Sequence, residues 1–282
     1  MPTTRLLAEP PRLGRLLVRS RLGRSAGGRA DVVLALRGQR FQPDRLAAYQ
    51  RLCGFRVDAV LPVTAPHVLA FPLGIARMAE PDFPLPVLGL VHVENTIRQH
   101  RPITFDEPLD LAVTSSEVRE HRAGRQVDII AEARCDDELV WQSISTYLRR
   151  EHRPTGPRPA RSPDPQATDA RAVLRIPADV GRRYAAVSGD RNPIHLSRVG
   201  ARAFGFPRPI AHGMWLAARA VATLEGAAPT GAVRFEVGFK APTPVPATVA
   251  VRESRAAEGG WYVEMTALAT GRRHLEATIV PG

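Results

Sequence analysis

The sequence predicts an α+β protein made of two tandem copies of one plan, a buried helix wrapped by antiparallel strands. Three observations carry this reading. The segment from Ile210 to Leu224 is apolar almost all round, which fits a helix inside a domain rather than on it. A comparable apolar segment, with Val68, Leu69, Phe71, Ile75 and Met78, follows Thr64-Ala65-Pro66-His67 as the later one follows Pro209-Ile210-Ala211-His212. The spacing from Ile97 to Pro102 also equals that from Phe239 to Pro244.

The first central helix is expected from Pro66 to about Ala79, interrupted at Pro72 and Gly74 in a way that leaves room for a ligand. Val91 to Ile97, Val127 to Arg134 and Leu139 to Tyr147 alternate as strands and close the first half. In the second half, Ile176-Pro177 to Val187 reads as a short helix, with Pro177 at its first position and Gly189 past its end. Ser197 looks like the N-cap of a second one, Arg198 to Phe204, ended by Gly205. The second central helix runs from Ile210 to Leu224, with Gly226 as terminator. Strands follow at Val233 to Phe239, Gly260 to Ala269 and His274 to Val280. Two such units in tandem make a double hot dog. Residues 151–170 hold Pro154, Pro157, Pro159, Pro163 and Pro165 and read as an extended linker. They divide a domain at 1–150 from one at 171–282, sizes ordinary for a chain of 282 residues.

Composition bounds the function. The net charge of +11 is almost wholly arginine, with Lys240 the one lysine. It fits either a basic surface for phosphorylated or acidic partners or arginine spread over solvated faces. Nucleic-acid binding is disfavoured, because no zinc-ligand spacing, RNA-binding aromatic pair or long basic helix occurs. The basic stretch from Arg12 to Arg29 reads as a strand edge or loop. Cys53 and Cys135 are too few for a disulfide framework, which suits a reducing cytoplasm. No signal-like stretch opens the chain and no apolar run is long enough to span a membrane.

The chemistry concentrates between Tyr184 and Met214. Asp190 and His195 lie at either end of a turn made by Asn192-Pro193, between two short helices, where both could face one water molecule. Asn192 serves equally as turn former or as organiser of the site. Tyr184 and Ser188 read more readily as structural, and they stand with Arg191 and Arg208 as candidates on the substrate side. Gly213 falls in the first turn of the second central helix, where free backbone amides and the helix dipole make an anion site. Having no Cβ, it lets a carbonyl approach closely. His212, at the helix entry, reads as structural. A base, an acid and an oxyanion site are what water addition to a conjugated thioester requires. No metal or redox cofactor is called for.

The run Asp-x-Asn-Pro-x-His, followed at fixed distance by Pro-x-x-His-Gly-Met, resembles the hydratase motif of the MaoC-like dehydratase family. That family comprises the R-specific enoyl-CoA hydratases and 3-hydroxyacyl-thioester dehydratases. The resemblance implies that Asp190 and His195 form the catalytic dyad, that Asn192 supports them and that the Gly213 amide polarises the thioester carbonyl. It implies an acyl-CoA or acyl-carrier-protein substrate and syn interconversion of trans-2-enoyl and (R)-3-hydroxyacyl thioesters. Some relatives carry a serine on the helix near the dyad where this chain has Val221. The stretch from Arg45 to Gly54 has no such motif, so one site per chain is expected, with the first half shaping a tunnel for the acyl chain. The rivals are a hot-dog thioesterase, disfavoured because no carboxylate lies between Ile210 and Leu224, and a non-catalytic acyl-CoA-binding protein. Exposed sheet edges point to a homodimer.

Overall fold

The computed structural model describes residues 3–11, 32–151, 170–224, 226, 228 and 231–282. The expected linker and the basic stretch from Arg12 to Arg29 lie almost wholly outside these residues. The first half runs β1 (Thr3–Leu6), β2 (Val32–Gln39), α1 (Pro43–Cys53), α2 (Ala65–Met78), β3 (Leu90–Gln99), β4 (Leu109–Ser115), β5 (Arg119–His121), β6 (Gly124–Cys135) and β7 (Glu138–Arg150). The second runs β8 (Ala172–Ile176), α3 (Val180–Ser188), α4 (Pro193–Leu196), α5 (Arg198–Ala203), α6 (Gly213–Ala222), β9 (Val233–Phe239), β10 (Ala247–Arg255), β11 (Trp261–Ala267) and β12 (Arg273–Pro281).

All strands join one sheet in the order β1-β2-β4-β6-β7-β3-β9-β12-β11-β10-β8, with β5 on β6. Read outward from the centre, the halves repeat each other. β3, β7, β6, β4 and β2 on one side correspond to β9, β12, β11, β10 and β8 on the other. They meet where β3 pairs antiparallel with β9, Ile97 opposite Phe235 and Asn95 opposite Val237. The repeat extends to the helix entries. Leu61 N donates to Ile103 O at 2.8 Å before α2, and Ala211 N donates to Thr243 O at 2.9 Å before α6.

The two central helices lie in the core. Met214 to Ala218 and Ala220 to Ala222 of α6 are all buried, as its all-round apolar sequence requires. Each fully buried side chain of the size of Leu216 contributes about 1.5–3 kcal/mol. The halves also interlock through helix ends. Trp215 Nε1 donates to Leu52 O at 3.2 Å and Arg219 Nη1 to Cys53 O at 2.9 Å, so α6 caps the orphan carbonyls at the end of α1. Gly54 ends α1 at φ 81°. A Cβ there would lie 1.5 Å from the Arg219 guanidinium, so glycine is needed for both the turn and the approach.

Several details differ from the sequence reading, and α6 ends at Ala222, short of the expected Leu224 and its terminator Gly226. α6 begins at Gly213, not Ile210, because Ile210 bridges Pro244 in extended conformation. α3 begins at Val180, not Pro177, because Ile176 ends β8 opposite Ala247. The first central helix is unbroken from Ala65 to Met78, with Pro72 inside it.

Candidate active site

The site is built on the segment between α3 and α6. Gly189 closes α3 at φ 81° and turns the chain, so that Asp190 points back towards the entry of α6. The turn is tied locally. Ser188 Oγ donates to Tyr184 O at 2.8 Å and accepts from Asp190 N at 3.1 Å, and Asn192 N donates to Asp190 Oδ1 at 3.1 Å. Asn192 is the N-cap of α4, its side chain accepting from Ile194 N at 3.4 Å. His195 therefore sits on one helical turn rather than in the expected loop.

The imidazole of His195 is oriented by a single strong contact, Nδ1 to Ile210 O at 2.7 Å. A carbonyl only accepts, so Nδ1 carries the proton and Nε2 keeps a free lone pair. Burial holds this imidazole below its ordinary pKa, against the opposing pull of Asp190 and of the Ile210 carbonyl. It is a neutral base. The contact also explains why Ile210 stays extended.

His212, expected to be structural, is part of the centre. Its ring stacks on His195 with centroids 3.7 Å apart. Its Nε2 donates to the backbone carbonyl of Asp190 at 3.0 Å and lies 3.7 Å from Asp190 Oδ2. Burial, then the neighbouring His195, pushes its pKa down to about 3, so it stays neutral. The sequence signals for it were its place beside Gly213 and in the Pro-x-x-His-Gly-Met run. Asp190, His195 and His212 each offer a donor atom within 4.8 Å of the others, the one such set of three among the described residues. Two of their four ring nitrogens already donate to backbone carbonyls, and His212 is only 3 % exposed. The set suits proton transfer better than ion binding.

Gly213 is the first residue of α6, and no side chain caps the first amides of that helix. The Phe239 ring packs on its Cα so closely that a Cβ would meet Phe239 at 3.0–3.2 Å. The positive end of the helix dipole is thus aimed beside the dyad.

The remaining candidates divide. Tyr184 and Ser188 are each 3 % exposed. The Tyr184 ring lies 4.9 Å from His212 and 6.3 Å from Tyr49, and Ser188 hydrogen-bonds within the loop, the structural alternative expected for both. Arg191 and Arg208 are exposed on either side of the loop. The first half brings three residues that the sequence reading did not single out. His92 stacks on Tyr147 at 4.8 Å and lies 5.0 Å from Phe239, and His67 lies 6.4 Å from His92. Burial lowers His67 to about 4 and His92 to about 3, and the charge of Asp190 acts on both and on Tyr147. Strand register and the packing of α2 bring them there, which no local motif signals.

Beside α2 lies a small pocket, lined by His67, Phe71, Gly74, Met78 and Tyr147 among others. Its wall is the half without the motif.

Comparison with known proteins places this geometry. The family model of the MaoC like domain matches residues 155–276. The 3-hydroxyacyl-thioester dehydratase X of Mycobacterium tuberculosis is 37% identical over 239 residues, 84% of this chain and 85% of the relative. The crystal structure of HtdX from Mycobacterium tuberculosis superposes with a TM-score of 0.78 at 35% identity, covering 89% of this chain and all of that one. A Mycobacterium tuberculosis protein described as having a double hotdog fold, 15% identical, matches at a TM-score of 0.50 over 86% of this chain and 94% of its own, a likeness of fold alone. The chain, a double hot dog with the dyad motif in its second half, belongs to the MaoC-like dehydratase family.

Proposed function

We propose that this chain interconverts trans-2-enoyl and (R)-3-hydroxyacyl thioesters by syn addition and elimination of water, with Asp190 and His195 as the acid–base pair and the Gly213 amide as oxyanion donor. The observation that carries this reading is the fixed tautomer of His195. Its Nε2 lone pair is left free beside the Asp190 carboxylate and the uncapped start of α6.

In hydration, a water molecule held by Asp190 and His195 bonds through oxygen to Cβ as one of its protons passes to the pair. The π electrons of the enoyl group move to the thioester oxygen, where the Gly213 N–H and the helix dipole stabilise the enolate. The proton on the pair is then delivered to Cα on the same face. The dyad returns to its starting state and no redox step occurs. Such acid–base catalysis contributes roughly 10²–10⁴-fold, and an oxyanion donor about 10²–10³-fold more.

The first half, residues 1–150, would hold the acyl chain in the cavity beside α2, and residues 171–282 would form the catalytic domain. Arg191 and Arg208 stand where a phosphorylated carrier, coenzyme A or acyl carrier protein, would meet the loop. No described helix is long and apolar enough to cross a membrane. Two unpaired buried cysteines suit the reducing cytoplasm, where we place the reaction. Edge strands β1 and β8 offer a surface for a homodimer. The test is loss of enoyl-thioester absorbance with crotonyl-, octenoyl- and dodecenoyl-CoA. Absence of turnover with all three, while acyl-CoA still bound, would favour a binding protein.

A further inference from the structure

The cavity beside α2 is not the plain apolar slot that a saturated alkyl chain would fill best. It follows the helix from His67 to Met78, a rise of about 16 Å at 1.5 Å per residue. Ala70, Phe71, Ile75 and Met78 face Val113 and Ile129 of the sheet and make most of it apolar. Three polar side chains, His67, Ser145 and Tyr147, complete the lining.

Their hydrogen-bonding groups are aimed at the cavity by what stands behind them. The two N–H of Asn95, itself 1 % exposed, go to Ser143 Oγ at 2.8 Å and Ser145 Oγ at 2.9 Å. Both serine oxygens thus accept from the amide, and the Ser145 hydroxyl keeps its own hydrogen to donate. The Oδ1 of Asn95 is buried with no hydrogen-bond partner, so the network is one donor short. The side chains of Tyr147 and His67 make no hydrogen bond to other described residues and are only partly buried. Tyr147 is held by ring stacking on His92 at 4.8 Å, which leaves its hydroxyl free as a donor. Both of these groups feel the Asp190 charge and lie at the end of the cavity nearest the dyad.

We propose that this cavity selects acyl chains bearing a hydroxyl or keto oxygen beyond the reacting Cβ, with Tyr147, Ser145 and His67 as the residues that recognise it. The inference rests on the thioester reading above. An unsubstituted chain would shield the Tyr147 hydroxyl, the His67 ring and the spare Ser145 hydrogen from water without pairing them, whereas an oxygen substituent pairs with them. A site built to hydrogen-bond such a group discriminates strongly against the analogue lacking it, far more than an apolar slot discriminates by size.

The experiment is calorimetric binding of the full chain to saturated acyl-CoA thioesters of one length, unsubstituted or hydroxylated in turn at each carbon from C4 to C8. Saturated chains do not react, so affinity is read independently of turnover. At least one hydroxylated isomer is expected to bind tenfold or more tightly than the unsubstituted chain. Tyr147→Phe and Ser145→Ala should each narrow that ratio at least threefold, partly by tightening the unsubstituted chain, and His67→Gln should preserve more of it than His67→Leu. Equal or tighter binding of the unsubstituted chain overturns the proposal, as does a ratio unmoved in both the Tyr147→Phe and Ser145→Ala proteins. Either result leaves the hydratase reading standing if enoyl-CoA is turned over. Failure of every thioester to bind removes both.

Discussion

Replacing Asp190 by asparagine tests the mechanism with little disturbance of the fold. Asparagine keeps an Oδ1 to accept from Asn192 N, now at 3.1 Å, and leaves the backbone carbonyl that His212 reaches at 3.0 Å. The loop should lose no more than about 1 kcal/mol, the worth of one weakened hydrogen bond. What disappears is the charge and basicity of one oxygen. Loss of one member of an acid–base pair costs roughly 10²–10⁴-fold in turnover, or about 3–5 kcal/mol of barrier. His195→Ala should cost as much in rate and more in stability. It leaves the Ile210 carbonyl without its 2.7 Å partner and opens space under the His212 ring, about 1–3 kcal/mol in all. Because one water is held by both groups, the double variant should be little slower than either single one. The assay is hydration of a trans-2-enoyl-CoA that the parent turns over, with Tm measured on each protein. Asp190→Asn retaining more than a tenth of parental kcat, or a double variant as slow as the product of the two single losses, would refute the shared-water mechanism.

Gly213→Ala brings a Cβ to 3.0–3.2 Å from the Phe239 ring, so the ring must yield by a few tenths of an ångström beside the oxyanion site; kcat should fall by about 10²-fold with Tm nearly unchanged. At Gly74 a Cβ meets only Ile129 Cγ2 at 3.5 Å, so Gly74→Ala should stabilise the protein by about 0.5–1 kcal/mol in a denaturant titration. The larger Gly74→Leu should exclude dodecenoyl-CoA from turnover while sparing crotonyl-CoA. Burial depresses His67, His92, His195 and His212 below the ordinary 6.5, so the unfolded chain takes up their protons first. Stability should therefore be constant just above pH 6.5 and fall as pH drops from 6.5 towards about 4, and a rise over that range in urea titrations would contradict the burial. Exposed Arg191 and Arg208 predict an acyl-CoA affinity that weakens with salt, and an affinity unchanged between low and high salt would count against a phosphate clamp.

Much of the fold was legible because burial dictates its sequence. β9 begins and ends at the expected Val233 and Phe239, and the alternating strands that close each half fall where expected. The departures occur where tertiary contacts override local preference. Ile210 has the apolar character of a helix residue, yet its carbonyl is taken by His195 and its backbone bridges Pro244. Asp190, Asn192 and His195 were readable because they lie within six residues of one another on a turn. His67, His92 and Tyr147 were not, since 80 positions separate the first from the last and only β3–β7 pairing and the packing of α2 bring them together.

The repeat also accounts for the motif occurring once rather than twice. Each half has a first helix closed by a left-handed glycine, Gly54 or Gly189, and then a connection into its central helix. In the first half that connection runs only from Gly54 to Thr64. In the second it runs from Gly189 to His212 and folds into α4 and α5, which is what places His195 under the Ile210 carbonyl. The shorter connection forms no such helices. The central helix of that half is freed from serving a dyad, and it lines the pocket beside α2. Antiparallel pairing of β3 with β9 then sets the open cavity of one half against the dyad of the other, since His92 on β3 and Phe239 at the end of β9 pack together between them. On the proposed reading, lengthening one loop of a twofold repeat divides chemistry from chain binding, and the division requires both halves in one sheet.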